Sequence, residues 1–254
     1  MIRTAPALIA LAFLAACGNT EAKAGARAAA APASAPAGGS PGGQAASAAT
    51  EASAPATGVA ASPESGAQRP FDHAPEVIRG IYLNAYAASG HRLRQLLALA
   101  DRTEINTFVV DVKDERGPHY ESQLPLVKQM TQPGQNTLRS LKAFADTIHA
   151  HKLYLMARIV VFKDPILSKA HPDWSIRRPG SGLWMDKKGN TWVSAWDRDV
   201  WDYNIEIAQE AAKAGFDEIQ FDYVRFPEPF PSLPPQVHPE AKGNRTDAIV
   251  GFLN

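Results

Sequence analysis

Five polar residues stand where apolar runs end, and their types suit acid–base chemistry. Asp111 and Lys113 close INTFVVDVK, Arg158 falls late in LYLMARIVVF, and Asp222 and Arg225 close FDEIQFDYVR. A neighbouring cation favours the charged form of a carboxylate. Asp222 near Arg158 or Arg225 could therefore act as a nucleophile or base. An aspartate in that position could equally cap a turn or pair with an arginine, and position alone leaves both readings open. Asp222 and Asp111 are the expected catalytic residues. Tyr82, Asn84, Lys113, Arg158, Tyr223 and Arg225 are expected to bind substrate around them.

All five tryptophans, Trp174, Trp184, Trp192, Trp196 and Trp201, follow the LYLMARIVVF run. The connection from Lys163 to Asp199 is too long for a simple loop, and long ordered loops are usually functional. Aromatic faces suit stacking on the apolar C–H faces of sugar rings. Trp184, Trp192 and Trp196 are therefore expected to face a ligand. The competing reading is a small satellite core, which suits Trp201 at a helix start.

Other chemistries find no footing. His149 and His151 point two ways at a helix end rather than forming a metal pair. No HExxH, nucleophile elbow or P-loop motif occurs. Neither a metal nor a cofactor is expected. Asp114-Glu115-Arg116-Gly117 is expected to open a loop, with Asp114 able to line the site, and Arg177-Arg178 to be solvated.

These residues need a scaffold that brings strand ends together. The periodicity predicts strands over 79–84, 105–113, 153–162 and 216–224. Helices are predicted over 90–102, 136–152 and 200–214, the last capped by Gly215. Near-continuous apolar strands alternating with helices, with no hairpin signal, predict a parallel sheet with crossover helices. An open doubly wound sheet and a (β/α)8 barrel of TIM type both fit. The absence of a glycine-rich phosphate turn after the first strand weakens a nucleotide-binding sheet. In either fold the site lies at the C-terminal ends of the strands. Alternation then turns Gln220 and Asp222 inward, and Ile219 and Phe221 toward the helices. Val110, Met156 and Val160 are also expected on the inward face.

The chain has 254 residues, 26 basic against 26 acidic, and a single cysteine. This balance argues against a nucleic-acid partner, and one cysteine excludes a disulfide scaffold. Residues 1–17 form a basic start, a short apolar run and Leu14-Ala15-Ala16-Cys17. That run is too short to span a bilayer and fits a signal peptide. Its end resembles the lipobox of bacterial lipoproteins, which implies lipidation of Cys17 and a membrane anchor. Gly18 and Asn19 follow, with no aspartate at the second mature position, as expected of an outer-membrane lipoprotein facing the periplasm or the surface. Residues 18–70, rich in Ala, Pro, Gly and Ser, are expected to be a disordered tether. The folded domain is expected over 71–254.

The runs RGIYLNAY, NTFVVDVKDERG, ARIVVFKDP and the stretch from GLWMDKKGNTW to FDYVRFP resemble a bacterial family of glycoside-hydrolase-like domains. The resemblance runs from about Val77 onward. It implies a TIM barrel related to α-glycosidases, with Asp222 as the catalytic aspartate closing the fourth strand. AIVGFLN resembles the helix before that family's fifth strand. On this reading the chain is expected to hold the first four β/α units, an incomplete barrel. The general acid would come from a later strand, and the fragment by itself would be inactive. Two functions follow: a hydrolase of an envelope or extracellular polysaccharide, or a non-catalytic glycan-binding lipoprotein using the same groove.

Overall fold

The computed structural model describes residues 71–254, so Cys17, the signal segment and the tether lie outside the described residues. Strands β1 (Gly80–Leu83), β2 (Thr107–Asp114), β3 (Gly117–Pro118), β4 (Tyr154–Val160) and β5 (Glu218–Asp222) form one sheet. Helices α1 (Gly90–Ala100), α2 (Pro125–Met130), α3 (Leu141–Ala150), α4 (Pro165–Ala170), α5 (Arg198–Ala214) and α6 (Arg245–Leu253) complete the order. β1, β2, β4 and β5 pair in parallel in that sequence, each after a helical crossover. This is the strand order of a (β/α) barrel of TIM type, and among the described residues the sheet does not close.

Parallel partners share a face, so the register sorts the residues. Tyr82 opposes Val109, which opposes Met156, and Arg158 opposes both Asp111 and Gln220. Val160 opposes Asp222, so the inward face carries the polar row that alternation predicts. Val110 departs from expectation. It opposes Leu83 and Ala157, and all three are buried on the helix-covered face with Phe108 and Leu155.

The helices are held by local chemistry. Asp197 caps α5 by accepting from the Asp199 and Val200 amides at 3.0 and 3.3 Å. Gly215 closes that helix at φ 106°, a conformation that favours glycine. Asp164 caps α4 in the same way, accepting from the Ile166 and Leu167 amides. In α6, a Cβ on Gly251 would stand 2.8 Å from the Trp201 ring, so glycine lets that helix seat against α5.

Two expectations are corrected. The predicted helix over 136–152 begins only at Leu141, because Arg139 has φ 53° and the Leu138 amide donates to the His119 carbonyl at 2.9 Å. Leu138 is thus core from the preceding turn, not from the helix. A hairpin also exists: β3 pairs antiparallel with the end of β2 through a connection at Glu115-Arg116. Gly117 at φ 101° permits the return, and the Asp114 carboxylate accepts from the Arg116 amide at 2.8 Å. A strand of two residues has no period to read.

Candidate active site

The C-terminal half of the inward face is built on one guanidinium. Arg158, on β4, reaches left to β2 and right to β5. Its Nη1 donates to Asp111 Oδ1 at 2.6 Å. Its Nε and Nη2 both donate to Asp222 Oδ2, at 2.9 and 2.5 Å. The Tyr82 hydroxyl, from β1, donates to the other Asp111 oxygen. Four strands therefore each contribute one polar group to a single network.

The two carboxylates differ in environment. The Asp111 side chain is 2% exposed and that of Asp222 is 43% exposed. Burial raises the Asp111 carboxyl above the ordinary range, against the opposing pull of Tyr82 and Arg158. Burial, reinforced by Asp111, likewise raises the Tyr82 phenol. Arg158 moves upward too: burial opposes its charge, but hydrogen bonds to Asp111 and Asp222 outweigh it. Asp111 is enclosed, one oxygen accepting from Tyr82 and the other from Arg158. Asp222 keeps an open face at the end of β5.

Tyr223, immediately after Asp222, adopts φ 53°. A bulky residue rarely occupies this left-handed region, and such strain concentrates at functional sites. The Tyr223 amide donates to Asp222 Oδ1 at 2.6 Å, so the turn fixes the carboxylate. The Tyr223 ring lies edge-on to Trp192, with centroids 5.7 Å apart. Lys163 Nζ stands 4.8 Å and the Arg225 guanidinium 5.3 Å from that ring. These residues border a cleft of about 290 Å³ that Lys187, Lys188 and Phe230 also line.

Lys113 is not in this site. The β2–β4 register slips between Asp111 and Lys113, so Lys113 opposes Ile159 rather than Val160. Its ammonium is fully buried on Asp164 at 2.8 Å, donates to the Val160 carbonyl and faces the Tyr203 ring of α5. The bulge has moved a residue expected to bind substrate into the helix-side core. Asn84 shapes the turn after β1, its Oδ1 accepting from the Ala87 amide at 2.9 Å. Asp114 pairs with His119 and Arg116, which pull its carboxyl well below the ordinary range although burial pushes the other way.

The tryptophans divide. Trp184 is fully buried and donates from Nε1 to the Pro234 carbonyl at 2.8 Å, leaving no face for a sugar. Trp196 packs against Phe226 and His238, with centroids 4.7 and 4.9 Å away. Trp184 belongs to the hydrophobic core and Trp196, partly buried, packs against it, in a loop that isolated bridges such as Ser175–Val193 and Met185–Thr191 fold into layers. Trp192 alone of the three borders the cleft, but at 2% exposure it too is core, with Nε1 donating to Asp186 at 3.2 Å, and it presents no open face there. Lys163 and Phe230 were not anticipated. Lys163 could have been, as the first residue beyond the predicted strand end.

A parallel sheet in TIM-barrel strand order, with a carboxylate–guanidinium network at its strand ends, defines a barrel-type α/β protein. The chain belongs to the family described as "Putative glycosyl hydrolase domain", whose model matches residues 80–254. A hypothetical protein from Ruminiclostridium thermocellum ATCC 27405 has a crystal structure that is similar at 36% identity and a TM-score of 0.60, covering 68% of this chain and 88% of that one. The alpha-galactosidase from Lactobacillus brevis matches at 18% identity and a TM-score of 0.39, over 57% of this chain and 20% of that one. The alpha-galactosidase from Thermus thermophilus matches at 15% and 0.42, over 61% and 32%. This chain thus spans a third or less of either galactosidase. No curated protein matches.

Proposed function

We propose that this protein hydrolyses an envelope or extracellular polysaccharide, with Asp222 as nucleophile or base. The observation that carries this reading is the pairing of the partly exposed Asp222 with Arg158 at the end of β5, where the next residue, Tyr223, borders the cleft. As a nucleophile Asp222 would add an oxygen to the anomeric carbon. As a base it would take the proton of an attacking water. In either case a second carboxyl group must protonate the leaving oxygen, and Asp111 would hold Arg158 against Asp222. That acid would come from another strand of the barrel. Tyr82, Tyr223 and Arg225 would contact sugar. Cys17 would carry a lipid anchor, placing the protein in the bacterial envelope, on the periplasmic or surface face of the outer membrane.

A binding-only protein is the second reading, and one observation favours it: both Asp222 oxygens already accept hydrogen bonds. The full-length protein should be incubated with a polysaccharide panel and new reducing ends measured, alongside Asp222→Asn. Release by the wild type and none by the variant supports the hydrolase. Binding without release by either favours the second reading.

A further inference from the structure

The cleft beside Asp222 differs in charge from the rest of the chain. Overall the chain is neutral, yet four cations, Lys163, Lys187, Lys188 and Arg225, border the cleft against only Asp186 and Glu228. Those two carboxylates offset half of that charge. Asp186 is fixed by its own turn, accepting from the Lys188 and Asn190 amides at 2.9 Å each and from Trp192 Nε1, bonds that favour its ionised form. Glu228 forms an ion pair with Arg225 at 3.7 Å. Lys163 has a partner outside the cleft, Glu115 at 3.1 Å. Among the described residues, neither Lys187 nor Lys188 makes an ion pair.

The apolar walls complete the pattern. Half-buried Tyr223 stands on one side, backed edge-on by the buried Trp192, and half-buried Phe230 lies under Lys187 with Nζ 3.5 Å from its centroid. Aromatic walls suit a sugar ring, and the unpaired ammonium groups of Lys187 and Lys188 suit an anionic substituent on it. A neutral chain would leave those two cations without a counter-charge.

We infer that the cleft lined by Lys187, Lys188, Arg225, Trp192 and Tyr223 is a subsite for an acidic sugar, so that the substrate is an anionic glycan. This inference rests on the glycan-directed reading above and deepens it. The charge could be a uronate carboxylate or an ester sulfate or phosphate, and the same pocket chemistry recognises each.

The test is binding to the full chain by tryptophan fluorescence and calorimetry. Probes are polygalacturonate oligomers, the same oligomers reduced at the carboxyl to galactan, and a sulfated galactan. The expected result is about a tenfold or greater preference for a charged chain over the reduced one, which corresponds to about 1.4 kcal/mol. The preference should fall toward unity in 0.5 M salt, where screening is strong on the order of a few ångströms. It should also collapse in Lys187→Gln/Lys188→Gln, whose fold is checked by circular dichroism. Preference for the carboxylate or for the sulfated probe identifies which anion is read. Equal binding of charged and reduced chains, or a preference that survives the double substitution, overturns the inference while leaving the glycan reading standing. No binding of any chain overturns both.

Discussion

Arg158 places two nitrogens, Nε and Nη2, on the same oxygen of Asp222, while its Nη1 takes Asp111 from the other side. One guanidinium thus ties β2 to β5 across β4. The fork shape of arginine makes this possible, whereas a lysine ammonium is a point charge with no such reach.

Asp222→Asn should cut turnover on the order of a thousandfold or more while leaving glycan binding and thermal stability close to wild type. Asp222 is partly exposed, and the amide keeps its shape and an acceptor for Arg158. Turnover of the mutant within tenfold of the wild type would remove Asp222 from the reaction.

Arg158→Met should destabilise the fold by about 3 kcal/mol, because it strands the buried Asp111 carboxylate. Arg158→Lys should recover only part of that loss, since it cannot serve both aspartates. Urea denaturation of the three proteins measures this. Full recovery by lysine would show that the bridge geometry carries no weight.

Lys113→Met is expected to cost about 3–5 kcal/mol in the same assay, by leaving Asp164 buried without its partner. A residue that only contacted substrate would weaken binding and leave the unfolding midpoint in place.

The pH dependence of stability should carry the mark of Asp114. Its carboxyl lies below the ordinary value of 3.8 in the folded chain, through His119 and Arg116, against the effect of burial. A depressed carboxyl contributes stability above its unfolded value and loses it as pH falls through the folded one. The wild-type advantage over Asp114→Asn should therefore be full at pH 6 and should shrink below about pH 4. An advantage independent of pH would assign it to packing.

Cys17→Ser should release the mature protein from the detergent-soluble membrane fraction into the soluble one. Unchanged partitioning of the variant would rule out a lipid on Cys17.

The alternation of apolar runs determined, by itself, the four parallel strands, their crossover helices and the inward turn of Gln220 and Asp222. Those features follow from local periodicity, which each segment carries in its own residues. The sequence also located the polar groups at the strand ends. It did not determine which of them meet. Asp111 and Lys113 share a face in any regular strand, and only pairing with β4 introduces the slip that buries Lys113 beneath α5. The tryptophans tell the same story. Trp184 and Trp192 lie in the same long loop and both are buried, but the Pro234 segment covers one while the other backs Tyr223 at the edge of the cleft. Register and coverage are properties of segments far apart in the chain, so only the assembled tertiary structure decided the site.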